Sequence, residues 1–454
     1  MQLIAGLVLL MPFALAVLLG IGLPFLALAA YRRPGVGLLL VLGAWLLDAL
    51  SLGAPLLRIG LTIYPPDLPM VLIGGVALAR WLLRDDVPRH YPLWLLLVGA
   101  FLASLSWGLV RNGTTAGVEA RPDYYALAAA SYAMSFPIDR TLLSRVMRWF
   151  SAAALVLMLL CAYRWIVYYM PIPELLPPSG VYNEDGAIRV IGSNFALGLA
   201  ELLVLGLFFA AGGIGLAGAR LMMPLLLGFS VVLQHRSVWL AGVAGLLLSL
   251  MFGRAQRTPL WQQVLLGLAV FTLTLAPLVL NQGLSTQLQT STASALSGQG
   301  TVADRFQNWR ATLNLWIADG PVAIAMGRAR GSDATRVVYD ESGRSRVIKY
   351  SAHNHYVNTL TGMGVLGLAA YLGLVLHLVK GLWRCLQQRN EDTPASAALL
   401  VLTGMQLVYF MAYGVDFVQY LVFGLSLSWV ATRVPQAKVQ RRTPHPATLP
   451  ASAR

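Results

Sequence analysis

The chain has 454 residues, of which 57% are apolar and only 11% are charged, whereas soluble domains carry about 45–50% apolar and about 25% charged residues. A soluble protein of this length would divide into about three domains and need a dense charged surface. The composition therefore excludes a soluble enzyme, a disordered chain and a coiled coil, and it predicts an all-α polytopic membrane protein. The formal net charge is +14, from 33 basic and 19 acidic residues.

Apolar runs of the length that a membrane-crossing helix needs, about 20 residues, recur as far as residue 432. Some runs are short for a full span and the first is long for one helix, so we predict about 12–14 transmembrane helices. No Lys or Arg precedes the first run, which we therefore expect to be a retained span rather than a cleaved signal. The runs lie at 3–30, 36–53, 66–83, 92–110, 123–137, 150–169, 191–212, 221–234, 237–253, 260–280, 356–379, 396–413 and 416–432.

Positive charges in short loops mark the cytoplasmic side of a membrane protein. The tail at 433–454 carries five basic residues and no acidic residue, which predicts a disordered basic cytoplasmic tail near anionic lipid. Counting back from the tail places the basic loops, including Arg140, Arg145 and Arg148, on the same side. This orientation divides the chain into a transmembrane helix bundle at 1–280, a large periplasmic loop at 281–352, C-terminal transmembrane helices at 353–432 and the tail.

The predicted periplasmic loop begins with a polar, linker-like stretch. Aromatic and apolar residues then recur at helical spacing from Phe306 to Trp316, so we expect the loop to contain short helices. Eight basic residues stand against five acidic ones between 304 and 349. This excess opposes the usual positive-inside bias, and an anionic substrate is its simplest explanation. A solvated loop surface is the expectation for Arg328, Arg330, Arg344 and Arg346.

His353 and Asn354 stand where this polar loop enters an apolar helix. A histidine at the membrane–water boundary can act as a general base, because its unperturbed pKa lies near neutrality. Gly364 and Gly367 follow on the same helix and would allow close approach to a neighbour. A helix cap or an interfacial pair is the alternative interpretation of the two polar residues.

Three arginines stand at the outer ends of predicted helices: Arg189, Arg236 and Arg305. Guanidinium groups bind phosphate oxygens through bidentate, charge-assisted hydrogen bonds, so this set suits a lipid-linked pyrophosphate. Trp309 lies only about 40° around the helix from Arg305 and either contacts a sugar or packs in the core. Arg310 lies about 140° from Arg305, so one phosphate cannot easily meet both.

With these motifs in this order, residues 180–380 resemble the O-antigen ligase/O-antigen polymerase family of bacterial membrane glycosyltransferases. The resemblance rests on an Arg-x-x-x-Trp helix at Arg305, on an HN pair at His353 followed by G-x-x-G, and on an R-x-x-W span at Arg236. Two positions depart from the family pattern: Gly362 stands where the family often has an acidic residue, and His235 stands before Arg236 where a serine is common.

The resemblance implies a metal-independent, inverting glycosyltransferase without a cofactor, whose active site faces the periplasm from the bacterial inner membrane. The donor would be a glycan on undecaprenyl pyrophosphate. Arg189 and Arg305 would hold the pyrophosphate and stabilise the leaving group, and His353 would deprotonate the acceptor hydroxyl. The implied substrate-binding residues are Asn354, Arg236, Trp309 and Arg310.

The acceptor stays open at this stage. A polymerase would extend an O-antigen or exopolysaccharide chain, and a ligase would transfer a chain to lipid A–core, with polymerase slightly favoured. A polymerase-type arginine motif fails by one position, since nine residues separate Arg310 from Gly320. The partners would be the lipid-linked donor, the glycan or lipid A–core acceptor, the membrane and polysaccharide-assembly proteins, with no nucleic acid. A transporter or flippase of a lipid-linked or polar substrate is the alternative class.

Overall fold

The computed structural model describes residues 22–51, 55, 57–59, 61–84, 92–170, 172–173, 175–176, 182–184, 187–209, 215–216, 219–252, 301–339, 345–348 and 351–434. Four predictions therefore fall wholly or largely outside the described residues. They are the start of the first span, the span at 260–280, the linker-like start of the large loop and the basic tail.

Helices dominate the described chain. They are α1 (Pro34–Ser51), α2 (Asp67–Leu83), α3 (Pro92–Asn112), α4 (Thr114–Met134), α5 (Arg140–Tyr169), α6 (Ser193–Phe209), α7 (Ala219–Val232), α8 (Arg236–Phe252), α9 (Thr301–Ala318), α10 (Pro321–Met326), α11 (His355–Gln387), α12 (Thr393–Tyr409) and α13 (Phe417–Arg433).

Within the described residues, three small antiparallel hairpins join the helices, and the sequence did not predict them. They pair β1 (Leu57–Ile59) with β2 (Leu61–Ile63), β3 (Tyr182–Glu184) with β4 (Ala187–Arg189), and β5 (Arg336–Tyr339) with β6 (Ser345–Ile348). The last hairpin lies in the segment predicted as the large loop, together with the two short helices α9 and α10. The periplasmic location of that segment stays a prediction.

Four described helices are long and apolar enough to cross a membrane: α1, α3, α5 and α11. Four shorter apolar helices accompany them, namely α6, α7, α8 and α12. Helices satisfy their own backbone hydrogen bonds, which is what a membrane-spanning segment requires. The fold is therefore that of a helical membrane protein, and the total of about 12–14 spans stays a prediction.

The centre of the bundle is built on small side chains. Helix α4 carries buried alanines at 126, 128, 129, 130 and 133, and it packs along α13. A Cβ placed on Gly424 of α13 would lie 2.5 Å from the carbonyl oxygen of Ala130. Small residues that let two backbones approach are the usual basis of helix packing in membranes.

Helix α5 begins ten residues before the predicted span at 150–169. Asp139 caps it, since its side chain accepts a hydrogen bond from the backbone N–H of Leu142 at 2.6 Å. A side-chain acceptor at this position satisfies one of the free N–H groups of the first turn. The loop placement of Arg140, Arg145 and Arg148 is therefore wrong, because all three lie on the first turns of α5.

Helix α11 is kinked at Gly364, where φ is +70°. Helix α10 packs into this kink, and a side chain at Gly364 would collide with the carbonyl oxygen of Ala325. Glycine alone combines this left-handed backbone with the required space. The close approach expected of Gly364 is confirmed, and its neighbour is the short helix α10.

The basic residues assigned to cytoplasmic loops meet at one end of the bundle. Arg433 donates to Asp392 at 2.8 Å and to the carbonyl oxygen of Ile138 at 2.9 Å. Arg80 donates to the carbonyl oxygens of Ser135 and Tyr31. The opposite end, where α3 and α12 finish and α4, α11 and α13 begin, holds the residues of the candidate site.

Candidate functional site

Two of the predicted catalytic residues lie against the same aromatic ring. The guanidinium carbon of Arg305 lies 5.2 Å from the centre of the Tyr413 ring, within the range of a cation–π contact. The imidazole of His353 meets the same ring edge to face, with 6.3 Å between the ring centres. The separation of Arg305 and His353 therefore cannot exceed these two distances combined, so the fold brings a base and a cation into one site.

A stacked pair of tyrosines extends this site toward Arg189. The rings of Tyr409 and Tyr413 are stacked with 5.0 Å between their centres. The hydroxyl of Tyr409 lies 2.7 Å from that of Ser193, the first residue of α6. Because Arg189 precedes Ser193 by one short buried segment, the β3–β4 hairpin ends next to the tyrosine pair.

The segment after Arg189 is held from two sides. Arg164 donates from Nη1 to the carbonyl oxygen of Val190 at 2.8 Å, and it also donates to the carbonyl oxygens of Ala49 and Leu50 at the end of α1. On the other side, Nε2 of His235 lies 3.2 Å from the carbonyl oxygen of Ile191. These bonds fix where β4 ends and thus where Arg189 stands.

His235 also places Arg236 in the same region, because the two residues are adjacent at the start of α8. Burial, and then the positive charge of Arg189, lower the pKa of His235 from 6.5 to about 4. A neutral imidazole can lie beside an arginine without repulsion. Arg189 and Arg236 are both half-buried, so the structure places both next to the buried segment at Val190 and Ile191.

Helix α9 clamps the chain directly before His353. Trp309 donates its indole N–H to the carbonyl oxygen of Ala352 at 2.7 Å, and the Asn308 amide donates to the carbonyl oxygen of Ser351 at 3.4 Å. The backbone N–H of Ala352 in turn donates to Asn358 of α11 at 3.2 Å. Trp309 thus anchors the residue before the predicted base.

His353 itself adopts φ of +48°, a left-handed conformation that is uncommon outside glycine. Asn354 follows as the cap of α11, accepting from the backbone N–H of Val357 at 3.0 Å and donating to the carbonyl oxygen of Met411 at 3.0 Å. Both ends of the Asn354 amide are engaged within the protein. This arrangement fits an orienting role for Asn354 beside His353 better than contact with a sugar.

Arg310 stands apart from the other candidates. It is exposed to solvent, whereas Arg305 on the same helix is half-buried. The two side chains point in different directions from α9, as the helical geometry predicts. The described contacts of α9 give Arg310 no place beside Tyr413.

The expectation of a solvated position is wrong for Arg330, which is only 6% exposed. Its Nη2 lies 2.7 Å from a carboxylate oxygen of Asp123 in α4, which balances the buried charge. A Cβ on Gly362 would lie 2.8 Å from Nη2, and a Cβ on Gly108 would lie 2.6 Å from the backbone of Arg330. Gly362, one of the two departures from the family pattern, therefore leaves the space that this arginine occupies.

Two cavities adjoin His353. One of about 470 Å³ is lined by Tyr413, Tyr409, Ser193 and Asp416, among others, and the other, of about 630 Å³, by Arg330, Asp123, Ser351 and Ala352, among others. Pro122, Gly414 and Val415 line both. His353 contacts the Tyr413 ring, which lines the smaller cavity, and directly follows Ala352, which lines the larger, so it is close to both.

Asp416 has a structural role, because its carboxylate is fully engaged in hydrogen bonds within the protein. Its carboxylate accepts from the backbone N–H of Val418 at 3.0 Å, from Asn194 at 2.6 Å and from the indole N–H of Trp45 at 3.3 Å. It joins α13 to α1 and α6 in the wall of the smaller cavity.

Sequence reasoning missed Tyr413, Tyr409, Arg330 and Asp123. No motif marks them, because each acts through a partner that is distant in sequence. The turn AYGVDFVQY was the available signal for Tyr413, since it joins two apolar runs at the same end of the bundle. Among the described residues, no cluster of three or more His, Cys, Asp or Glu side chains could hold a metal ion.

Residues 221–372 match the model of a family described as O-antigen ligase. The resemblance to the O-antigen ligase/O-antigen polymerase family is thereby confirmed. The matched segment runs from α7 into α11 and contains Arg236, Arg305, Trp309 and His353, while Arg189 lies before it. No curated protein matches the chain. The match covers about a third of the chain, and the described fold is that of a helical membrane protein.

Proposed function

We propose that this protein transfers a glycan from undecaprenyl pyrophosphate to an acceptor hydroxyl, at the periplasmic face of the bacterial inner membrane. The observation that carries the proposal is the placement of Arg305 and His353 against the Tyr413 ring, within or beside the segment that matches the O-antigen ligase family. A base and a guanidinium in one site are what this reaction needs.

In the proposed reaction, the acceptor oxygen attacks the anomeric carbon of the donor sugar and inverts its configuration. His353 takes the proton from the acceptor hydroxyl as the new glycosidic bond forms. The bond between the anomeric carbon and the phosphate oxygen breaks, and undecaprenyl pyrophosphate leaves with the electron pair. Arg305 and Arg189 stabilise the negative charge that develops on this leaving group, and Arg236 supports them at the same end of the bundle.

The acceptor is either a second glycan chain or lipid A–core. The first makes the protein an O-antigen or exopolysaccharide polymerase and the second makes it an O-antigen ligase. The assignment between them rests on the sequence alone, where the spacing from Arg310 to Gly320 nearly fits a polymerase motif. Arg310 is exposed on α9, so in either case we place it outside the site of chemistry.

The test uses the purified full chain in lipid nanodiscs with a panel of undecaprenyl-pyrophosphate-linked oligosaccharides. Each donor is offered a lipid-linked oligosaccharide or lipid A–core as the acceptor, in buffer containing EDTA. Formation of a new glycosidic bond together with released undecaprenyl pyrophosphate supports the proposal. The acceptor that reacts separates polymerase from ligase. If no donor and acceptor pair gives product, the proposal fails.

A transporter or flippase is the alternative class, and the same nanodisc preparation separates it from the enzyme. A transporter forms no glycosidic bond, so it yields no product in the assay above. Reconstituted into sealed liposomes, it moves a fluorescent lipid-linked oligosaccharide between leaflets, which dithionite quenching detects. Leaflet exchange without product would replace the enzyme by the transporter.

A further inference from the structure

The cavity of about 630 Å³ lies outside the group formed by Arg305, His353 and Tyr413. It opens between the start of α4, the start of α11 and the segment that joins α10 to β5. Its volume lies within the range of small-molecule sites, about 300–1,000 Å³. None of the four predicted arginines lines it, so the proposed pyrophosphate site does not account for it.

The lining carries charges of both signs. Glu119, Asp123 and Asp333 line the cavity together with Arg328 and Arg330, and Asp123 is paired with Arg330 at 2.7 Å. An anionic ligand would meet the carboxylates, and a cationic ligand would meet the arginines. A neutral molecule rich in hydroxyl groups can donate to the carboxylates and accept from the guanidinium groups. The charge pattern therefore favours an uncharged saccharide.

The environment of Arg330 is a second reason to expect a ligand in this cavity. Its side chain is only 7% exposed, yet its Nε has no hydrogen-bond partner among the described residues, and its Nη2 is met by the ion pair with Asp123 rather than by a hydrogen bond. Burial closes Nε and Nη2 to a ligand. Nη1, which lies 3.9 Å from a Glu119 oxygen, is the guanidinium nitrogen that a hydroxyl or ring oxygen of a bound sugar would meet from the cavity side.

Glu119 is the accessible acceptor of the same cavity. Its side chain is 49% exposed, and one of its oxygens lies 3.9 Å from Nη1 of Arg330. Its other oxygen accepts from the backbone N–H of Gly331 at 2.5 Å. This bond holds the carboxylate at the wall, while the remaining lone pairs stay open to a ligand hydroxyl.

The position of the cavity next to His353 determines which part of a bound sugar would reach the proposed base. Ser351 and Ala352, directly before His353, line the cavity, whereas Arg305 contacts the Tyr413 ring, which does not line it. The cavity therefore adjoins the predicted base without including the predicted phosphate ligands. A sugar bound here would bring its hydroxyl or its anomeric carbon to His353.

We infer that the cavity lined by Glu119, Asp123 and Arg330 binds an uncharged sugar unit of the transferred or accepting glycan. The inference rests on the proposed glycosyl transfer for its role, because it assigns the sugar end of the substrate to a site apart from the pyrophosphate. Glu119 and Arg330 are the residues that hydrogen-bond the sugar, and Asp123 keeps Arg330 in place.

The test measures sugar binding without turnover. Saturation-transfer difference NMR is recorded on the full chain in nanodiscs with neutral oligosaccharides that contain N-acetylglucosamine, galactose, mannose and rhamnose. Thr335→Trp fills the cavity from its loop wall, and Val337→Trp, two residues away at a half-exposed position outside the lining, is its bulky control. Glu119→Gln removes one acceptor charge, with Glu391→Gln at a 93% exposed position as its control.

We expect at least one oligosaccharide to give saturation transfer in the wild-type protein and in both controls. Thr335→Trp should abolish the signal, and Glu119→Gln should weaken binding about tenfold, as loss of a hydrogen bond to a charged group does. A signal that persists in Thr335→Trp overturns the inference, as does the absence of any signal in the wild-type protein. Equal thermal stability of Thr335→Trp and Val337→Trp shows that the lost signal is not lost folding.

A kinetic arm separates the two sources of the sugar. If the cavity holds the acceptor glycan, Glu119→Gln raises the KM for the acceptor and leaves the KM for the donor unchanged; if it holds the donor glycan, the reverse holds. An unchanged KM for both substrates contradicts the inference. Failure of glycosyl transfer with retained oligosaccharide binding would overturn the proposed reaction while leaving the sugar site in place.

Discussion

Trp309 donates its indole N–H to the carbonyl oxygen of Ala352 at 2.7 Å, so a residue of α9 fixes the backbone next to His353. The contact spans 43 residues in sequence. Helix α9 therefore carries two functions: it presents Arg305 to the Tyr413 ring and it holds the peptide that precedes the proposed base.

Trp309→Phe tests this positioning role. The variant keeps an aromatic ring against Phe306 and removes the hydrogen bond to Ala352, which is worth about 0.5–1.5 kcal/mol. We expect kcat to fall by about three- to tenfold, with KM for the donor unchanged. Steady-state rates of glycosyl transfer measure both. A rise in KM with unchanged kcat would instead indicate that Trp309 contacts a sugar.

Arg305 and Arg310 provide a matched pair on one helix. Arg305→Ala removes the cation at the Tyr413 ring, and we expect the transfer rate to fall by about a hundredfold or more, as when a charge that stabilises the leaving group is lost. Arg310→Ala removes an exposed arginine and should change the rate by less than about twofold. The initial rates of undecaprenyl pyrophosphate release distinguish them. Equal losses in both variants would contradict the orientation of α9 described above.

Alanine substitutions at Gly364 and Gly113 distinguish the destabilisation caused by backbone strain from that caused by a steric clash. Both have a positive φ, +70° and +60°, but a Cβ on Gly113 meets nothing within 4 Å whereas one on Gly364 meets the carbonyl of Ala325. We expect Gly113→Ala to cost about 1–2 kcal/mol and Gly364→Ala to cost at least about 1–3 kcal/mol more.

Thermal unfolding of both variants in the same detergent measures this difference. A lower transition temperature for Gly364→Ala than for Gly113→Ala is the expected order. If the two variants unfold together, α10 does not pack into the kink of α11.

His235 gives a pH dependence with a definite sign. Its pKa in the fold is about 4, against 6.5 as the reference, so between these values the unfolded chain binds a proton that the folded chain does not. The free energy of unfolding therefore falls as the pH is lowered from about 6.5 toward 4, by up to about 1.4 kcal/mol per pH unit. His235→Gln should flatten this slope.

The control for this experiment is Ser237→Ala, a half-buried and non-titrating position in the first turn of α8. Stability of the three proteins is measured by thermal unfolding between pH 7 and pH 4.5. The wild-type protein and Ser237→Ala should lose stability in parallel over this range. A His235→Gln protein with the wild-type slope would show that the buried imidazole is not the group that titrates.

The local features of the fold follow from the sequence where one short segment decides them. The apolar runs predict most of the described helices, and the HN pair predicts the start of α11, where Asn354 does cap the helix. The start of α5 was missed because a single side chain, that of Asp139, extends the helix beyond its apolar run. The hairpins were missed because their strands are only three or four residues long.

The sequence predicts which residues carry the chemistry of the site better than it predicts which residues contact them. Arg305 and His353 have side chains suited to the chemistry, and both belong to recognisable sequence motifs. Tyr413, which contacts both of them, belongs to no motif, so only the fold reveals its role. Arg330 looked like a surface residue because its neighbours in sequence are polar. Its burial depends on Asp123 and on two glycines of other helices, Gly108 and Gly362, and no local pattern reveals such contacts.

The most direct test of the proposed site is a single-turnover measurement on His353→Gln. With saturating undecaprenyl-pyrophosphate-linked oligosaccharide and acceptor, we predict a transfer rate lower by about a hundredfold or more, the usual contribution of a general base. The affinity for undecaprenyl pyrophosphate should stay at the wild-type value, because the arginines are unchanged. A His353→Gln protein that binds donor and transfers the glycan at the wild-type rate would contradict the assignment of this site.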